Sequence, residues 1–181
     1  PDAADLRHSA SLELWLRAHH VGEAEDSVQL VRDQLALLVA TFVQAVALAY
    51  GLDADQAATA GGALLTLGSH ALGAATPGAD IDLIVVAPYF VERAHFFADG
   101  GLGGLLRGCN GIAGLHPVPD AFVPVIKFVL HGVHVDLLLA RTKLPQVPAN
   151  LTPSQYPSLV PKCHTETDVH SINGVRVAAA I

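Results

Sequence analysis

The spacing of apolar residues changes character twice along the chain. Residues 34–52 form a run of nineteen without a charged side chain. At helical spacing, Gln29, Asp33, Ala36, Ala40, Gln44 and Ala47 make a thin polar-or-small stripe, and Leu and Val fill the rest. The spacing predicts a mostly buried helix. The length is close to what spans a bilayer, but Gln34, Thr41 and Gln44 interrupt it, Asp33 and Asp53 flank it, and no basic cluster orients it. A membrane span is disfavoured on those grounds. Leu12, Leu14, Trp15 and Leu16 predict a short preceding helix, and Glu23, Glu25 and Asp26 fall where the positive end of the next one favours acidic side chains. Residues 1–60 therefore read as a helical segment.

Gly61-Gly62 ends that pattern, and strand-like runs follow at 63–67 and 81–86, the second stopped by Pro88. Between Gly100 and Gly114 lie seven of the sixteen glycines, which predicts a loose connection around a poor helix. This stretch lacks the Lys-Ser/Thr ending of a phosphate-binding P-loop. Residues 121–130 and 133–140 predict two strands joined by a His131-Gly132 hairpin turn. That register sets Leu130 against Val133 and Lys127 against Asp136, with Pro124 at an edge or bulge. Five prolines from Pro145 to Pro161 predict an irregular crossing, and residues 171–181 return to a short apolar pattern.

The length, 181 residues, suits one domain, and 51% apolar with 15% charged residues excludes wholesale disorder. A net charge of −7 argues against a stand-alone nucleic-acid binder. The acidity is local: residues 1–60 hold nine acidic and three basic side chains, residues 61–181 eight and seven. Two cysteines, Cys109 and Cys163, make no disulfide framework and point to a reducing compartment. Pro1 in place of Met suggests a piece cut from a longer chain.

The candidate chemistry lies in three aspartates. Asp80-Ile81-Asp82 opens a strand on which alternate side chains share a face, so the two carboxylates project together. Asp136 sits among Val133, Val135, Leu137, Leu138 and Leu139, an expensive place for an unpaired charge. One reading is a structural ion pair with Lys127; the other is a third metal ligand beside Asp80 and Asp82. Three converging carboxylates can hold two Mg²⁺ ions that clamp the attacking and leaving oxygens of phosphoryl transfer. Gly68-Ser69, between a strand and a predicted short helix, offers backbone N–H groups and a hydroxyl to an anion. Cys163, His164 and His170 lack zinc-ligand spacing and read as ordinary loop residues.

Several runs, in order, resemble eukaryotic poly(A) polymerase. They are Leu67-Gly68-Ser69, Leu72-Gly73, Gly78-Ala79-Asp80-Ile81-Asp82, Val85-Val86-Ala87-Pro88, Val91-Glu92-Arg93 and Phe96-Phe97. Further on come 121–127, Val135-Asp136, Leu139-Ala140-Arg141 and 171–177. The resemblance implies an α/β (α+β) nucleotidyltransferase fold of the DNA polymerase β-like kind, a mixed sheet backed by helices and preceded by N-terminal helices. Residues 61–181 would be the catalytic core and 1–60 its helical segment, with the family's middle and RNA-binding domains outside this chain. It implies Mg²⁺ (or Mn²⁺) held by Asp80, Asp82 and Asp136, and ATP contacts at Leu67, Gly68, Ser69 and Thr76. The activity implied is transfer of AMP from ATP to an RNA 3′ end, with RNA held mainly by the absent domains, no membrane, and a nuclear or alternatively cytoplasmic location.

The sequence departs from the family at His70-Ala71, where Tyr-Arg is usual, and at His134, where an acidic residue is common. The segment after Phe97, helical in the family, is replaced here by glycines. Two alternatives stay open: a relative using another nucleotide or acceptor, and a catalytically degenerate paralogue that acts by binding.

Overall fold

A computed structural model describes residues 21–72, 75–76, 78–151 and 153–179. The short helix expected at 12–16 lies outside them. The chain begins with α1 (Val21–Tyr50) and α2 (Ala54–Thr59), followed by β1 (Ala63–Thr66), α3 (Gly68–Ala71) and β2 (Ile81–Ala87). Next come α4 (Arg93–Phe97), α5 (Leu102–Gly108), β3 (Ile112–Val118), β4 (Val125–Leu130) and β5 (Val133–Arg141). Two 3₁₀ turns, Pro153–Ser158 and Val160–Lys162, lead into α6 (Glu166–Ala179).

The five strands form one mixed sheet in the order β1-β2-β5-β4-β3. β2 and β5 run parallel at its centre, and every other neighbouring pair is antiparallel. Alternation along the strands divides the molecule into two layers. Ile81, Leu83 and Val85 of β2 and Val135, Leu137 and Leu139 of β5 face α1, α2, α4 and α5. Ile84 and Val86 of β2 and Ala140 of β5 face α6 and the proline-rich crossing, with Leu159, Cys163 and Ile172. This is the expected mixed sheet backed by helices.

Local chemistry explains the boundaries. Asp53 caps α2 by accepting from the Gln56 N–H at 2.8 Å, and Gln56 returns the bond to the Asp53 N–H at 3.2 Å. The β4–β5 turn has His131 at φ 51° and Gly132 at φ 83°, the two left-handed positions that a tight hairpin needs. Leu130 pairs with Val133 as expected. Pro124 precedes β4, so it removes no ladder donor.

Four expectations need correction. α1 is buried on one face only, through Val31, Leu35, Val39, Phe42, Val43, Val46 and Ala47. Leu37 on its other face is 72% exposed, and Leu30 and Leu48 are exposed too. The helix is long and apolar enough to cross a membrane by length and composition; here its buried face packs on the sheet. Ala47, counted in the polar stripe, is fully buried. The glycine-rich stretch holds a packed helix, α5, whose Leu102 and Leu106 are fully buried. It is followed by a strand, β3, that the glycines disguised. Residues 171–179 belong to a helix, α6, that starts earlier at Glu166.

Candidate active site

The parallel pairing of β2 and β5 sets Asp82 directly opposite Asp136. Adjacent strands lie about 4.8 Å apart, so two acidic side chains share one spot on the sheet face. On the far side of β5 the antiparallel ladder pairs Asp136 with Lys127, whose ammonium forms an ion pair with Asp136 Oδ2. The hairpin register expected from sequence is therefore the observed one.

Gly68 completes the spot from the other side. The N–H of Leu67 donates to the Asp82 carbonyl at 2.8 Å, prolonging the β1–β2 ladder by one residue. The chain then turns at Gly68, at φ 61°, directly against the Asp82 carboxylate. A Cβ at Gly68 would stand 2.3 Å from Asp82 Oδ2, so only glycine fits both the conformation and the space. The N-cap of α3 is Leu67, without a side-chain capping bond.

Burial pushes the Asp82 carboxyl above its ordinary value, and the negative charges of Asp136 and Asp80 push it further; Lys127 and His70 pull it back. Conversely, the hydrogen bond to Asp136 raises the Lys127 ammonium above its ordinary value. Carboxylates alone, without thiolate, form a donor set of the hard-oxygen kind that divalent Mg²⁺ prefers. Their mutual repulsion is what such a cation would relieve.

The gathering is nevertheless less complete than expected. Among the described residues, no three His, Cys, Asp or Glu side chains stand close enough to cage a metal ion as placed. Asp80 lies one residue ahead of β2 and is exposed, and Asp136 is engaged by Lys127. Thr76 is exposed in the α3–β2 connection, and its carbonyl accepts from the Ala79 N–H at 3.0 Å. Leu67, Gly68, Asp82 and Asp136 are thus brought together by backbone geometry, while Ser69 follows on α3 and Thr76 belongs to the α3–β2 connection.

A buried ion cluster lies at the far end of β5 from Asp136, around Arg141. Asp168 of α6 is fully buried and accepts from Arg93 Nη2 at 2.8 Å, the Arg141 backbone N–H at 3.2 Å and Arg141 Nη2 at 3.4 Å. Oδ2, which takes the Arg141 Nη2 bond, also accepts from the Thr165 hydroxyl at 2.7 Å and the Thr165 N–H at 3.1 Å. Arg141 reaches on to Glu92, so one carboxylate ties α6 to the end of β5 and the start of α4. Glu92, Arg93 and Arg141 are among the family-like residues; Asp168 carries no burial signal, because Val169 is the one apolar residue between Glu166 and His170. Nearby, burial pushes the Cys163 thiol up to about 11. It stays protonated at neutral pH and donates to the Leu159 carbonyl at 3.5 Å.

The poly(A) polymerase nucleotidyltransferase domain family matches residues 1–181. A poly(A) polymerase of Schizosaccharomyces pombe is 41% identical over 159 residues, which is 88% of this chain and 27% of that protein. Nuclear poly(A) polymerase 4 of Arabidopsis thaliana is 35% identical over 186 residues, covering 100% of this chain and 24% of that one. Among solved structures, the Cid1 poly(U) polymerase superposes with a TM-score of 0.41 at 16% identity, over 63% of this chain and 30% of that one. The chain thus spans about a quarter of the length of these two curated relatives. With a family match over its whole length and relatives above 30% identity, the chain belongs to the poly(A) polymerase nucleotidyltransferase domain family.

Proposed function

We propose that the chain is the catalytic part of an adenylyltransferase that transfers AMP from ATP to the 3′-hydroxyl of RNA. The observation that carries this reading is the meeting of Asp82, Asp136 and the Gly68 turn on one spot of the sheet. In the reaction the 3′-oxygen bonds to the α-phosphorus, the bond from that phosphorus to pyrophosphate breaks, and the hydroxyl proton is lost.

Asp80, Asp82 and Asp136 are the residues that would hold Mg²⁺ or Mn²⁺, which supplies charge neutralisation and lowers the pKa of the attacking hydroxyl. The chain's own part is positioning. Leu67, Gly68 and Ser69 set the turn against which the phosphates would lie, with Thr76 reaching the same nucleotide from the α3–β2 connection. Asp82 and Asp136, one strand spacing apart, orient the reacting oxygens in line. Lys127 pairs with Asp136 and offsets part of the negative charge gathered there.

ATP and RNA are the substrates on this reading, and the nucleus is the compartment inferred from the named nuclear relatives. The base-contacting and RNA-binding surfaces would lie in the domains outside this chain. Primer extension on residues 1–181, comparing ATP with GTP in Mg²⁺ and Mn²⁺, tests it. Weak, metal-dependent incorporation with little base preference is the expected result, and Asp82→Ala should remove it. Robust ATP-selective tailing would locate the base pocket within these residues, contrary to the domain account. No incorporation together with no Mg-ATP-dependent stabilisation would favour the degenerate paralogue.

A further inference from the structure

The outer face of α1 is apolar where a solvated helix ordinarily carries charge. Leu37 is 72% exposed, Leu30 55% and Leu48 50%. Ala40, Thr41, Gln44 and Ala45 are exposed among them. No charged side chain occurs from Gln34 to Leu52. Thr41 adds little polarity, because its hydroxyl donates to the Leu37 carbonyl at 2.9 Å. A contiguous exposed apolar stripe of this kind marks an interaction surface.

The spacing of the stripe says what fits it. Leu30, Leu37, Thr41 and Leu48 are separated by 7, 4 and 7 residues, intervals that read the same in both directions. At 3.6 residues per turn the four positions stay within about 40° of the helix circumference and span roughly 27 Å. Laid antiparallel on itself about Val39, the stripe sets Leu30 against Leu48, Leu37 against Thr41, and each pair again on the other side. Such reciprocity is the condition for a two-fold interface between identical chains.

Charge selects the antiparallel sense. Asp33 is exposed beside the stripe. A parallel pair of helices would set the two copies of Asp33 side by side. The antiparallel pair holds them roughly 18 Å apart along the axis, beyond the screening length at physiological salt. Two helices in contact over this length bury on the order of 1,000 Å² in total, which reaches the lower bound of a specific interface and makes the association weak.

We propose that the outer face of α1 is a dimer interface, occupied by the same face of a second copy of this chain in antiparallel register. The contact leaves the carboxylate site free. α1 packs on the sheet face of Ile81, Leu83 and Val85, and Asp82 alternates to the opposite face.

Sedimentation velocity on residues 1–181 tests this. The chain should pass from monomer to dimer between about 10 and 100 µM. The register brings Asp26 of one copy close to Asp53 of the other, so raising NaCl from about 0.05 to 0.5 M should strengthen association. Leu37→Glu should weaken it at least 10-fold and Leu37→Met should retain it. Thermal melts of both variants should match wild type, because Leu37 is exposed. With Leu30→Cys and Leu48→Cys in the same chain, oxidation should join position 30 of one copy to position 48 of the other. A monomer at every concentration would overturn the proposal, whether residues 1–20 or parts of a longer protein cover the face. So would a dimer unaffected by Leu37→Glu, or crosslinks joining 30 to 30 and 48 to 48.

Discussion

Asp82 and Asp136 are direct partners on neighbouring parallel strands, and the turn at Gly68 presses on the Asp82 carboxylate from the opposite side. A site of this kind costs stability in exchange for function: like charges are held together by the sheet, and the surrounding packing bears the repulsion. Four consequences can be measured.

Replacing the repelled carboxylate should stabilise the cation-free chain. The Asp82 carboxyl is raised by burial first and then by Asp136 and Asp80. An acid raised in the folded state costs stability when ionised, and that cost disappears as pH falls through its folded value towards 3.8. Asp82→Asn should therefore raise the melting temperature at neutral pH by about 2–4 °C, the equivalent of roughly 1 kcal/mol in a chain of this size. Its advantage over wild type should shrink at about pH 4. Thermal melts of both proteins at the two pH values decide the matter; a destabilised mutant at neutral pH would refute the electrostatic account.

Lys127→Met should act in the opposite direction. The pair with Asp136 is half exposed, so the loss should be modest, about 1 kcal/mol or less. A lysine raised above its ordinary 10.5 contributes stability below that value and loses it as pH rises through the folded one. The difference between wild type and mutant should therefore vanish at strongly alkaline pH. Added Mg²⁺ should recover part of the neutral-pH loss. Unchanged melting in the absence of metal would mean that the pair contributes nothing.

Gly68→Ala combines a left-handed backbone with a Cβ driven into Asp82 Oδ2. The backbone alone should cost about 1 kcal/mol, and the displaced carboxylate should weaken the Mg-ATP response more than stability suggests. Melting curves with and without Mg-ATP separate the two effects. A mutant with a wild-type nucleotide response would show that the turn need not touch Asp82.

Asp168→Ala should be the most damaging single change, by about 3–5 kcal/mol, because Arg93 and Arg141 would be left partly buried without their shared acceptor. Chemical denaturation measures it. A loss below about 1 kcal/mol would show that water replaces the carboxylate and that the α6 attachment rests on Ile172 and its neighbours instead.

Much of this arrangement was legible from local pattern. The short strand-like runs identified β1, β2, β4 and β5, and the two-residue turn His131-Gly132 sufficed to pair Lys127 with Asp136, because a hairpin register follows from its loop length. The order of Gly68-Ser69, Asp80, Asp82 and Asp136 was enough to identify the family. Other features had no local signature. β3 carries Ala113, Gly114 and Pro117 among its seven residues, and their weak strand preference is overruled by pairing with β4. The face that α1 buries was ambiguous, since leucines ring the helix and only contact with the sheet selects Leu35 over Leu37. The sequence by itself singled out Asp80, Asp82 and Asp136 as candidates and determined which strand partner Lys127 has. Only the tertiary structure decided that β2 and β5 are parallel neighbours, so that Asp82 meets Asp136, and that Asp168 is buried. Such contacts join positions distant in sequence, and their energies depend on packing that no local window contains.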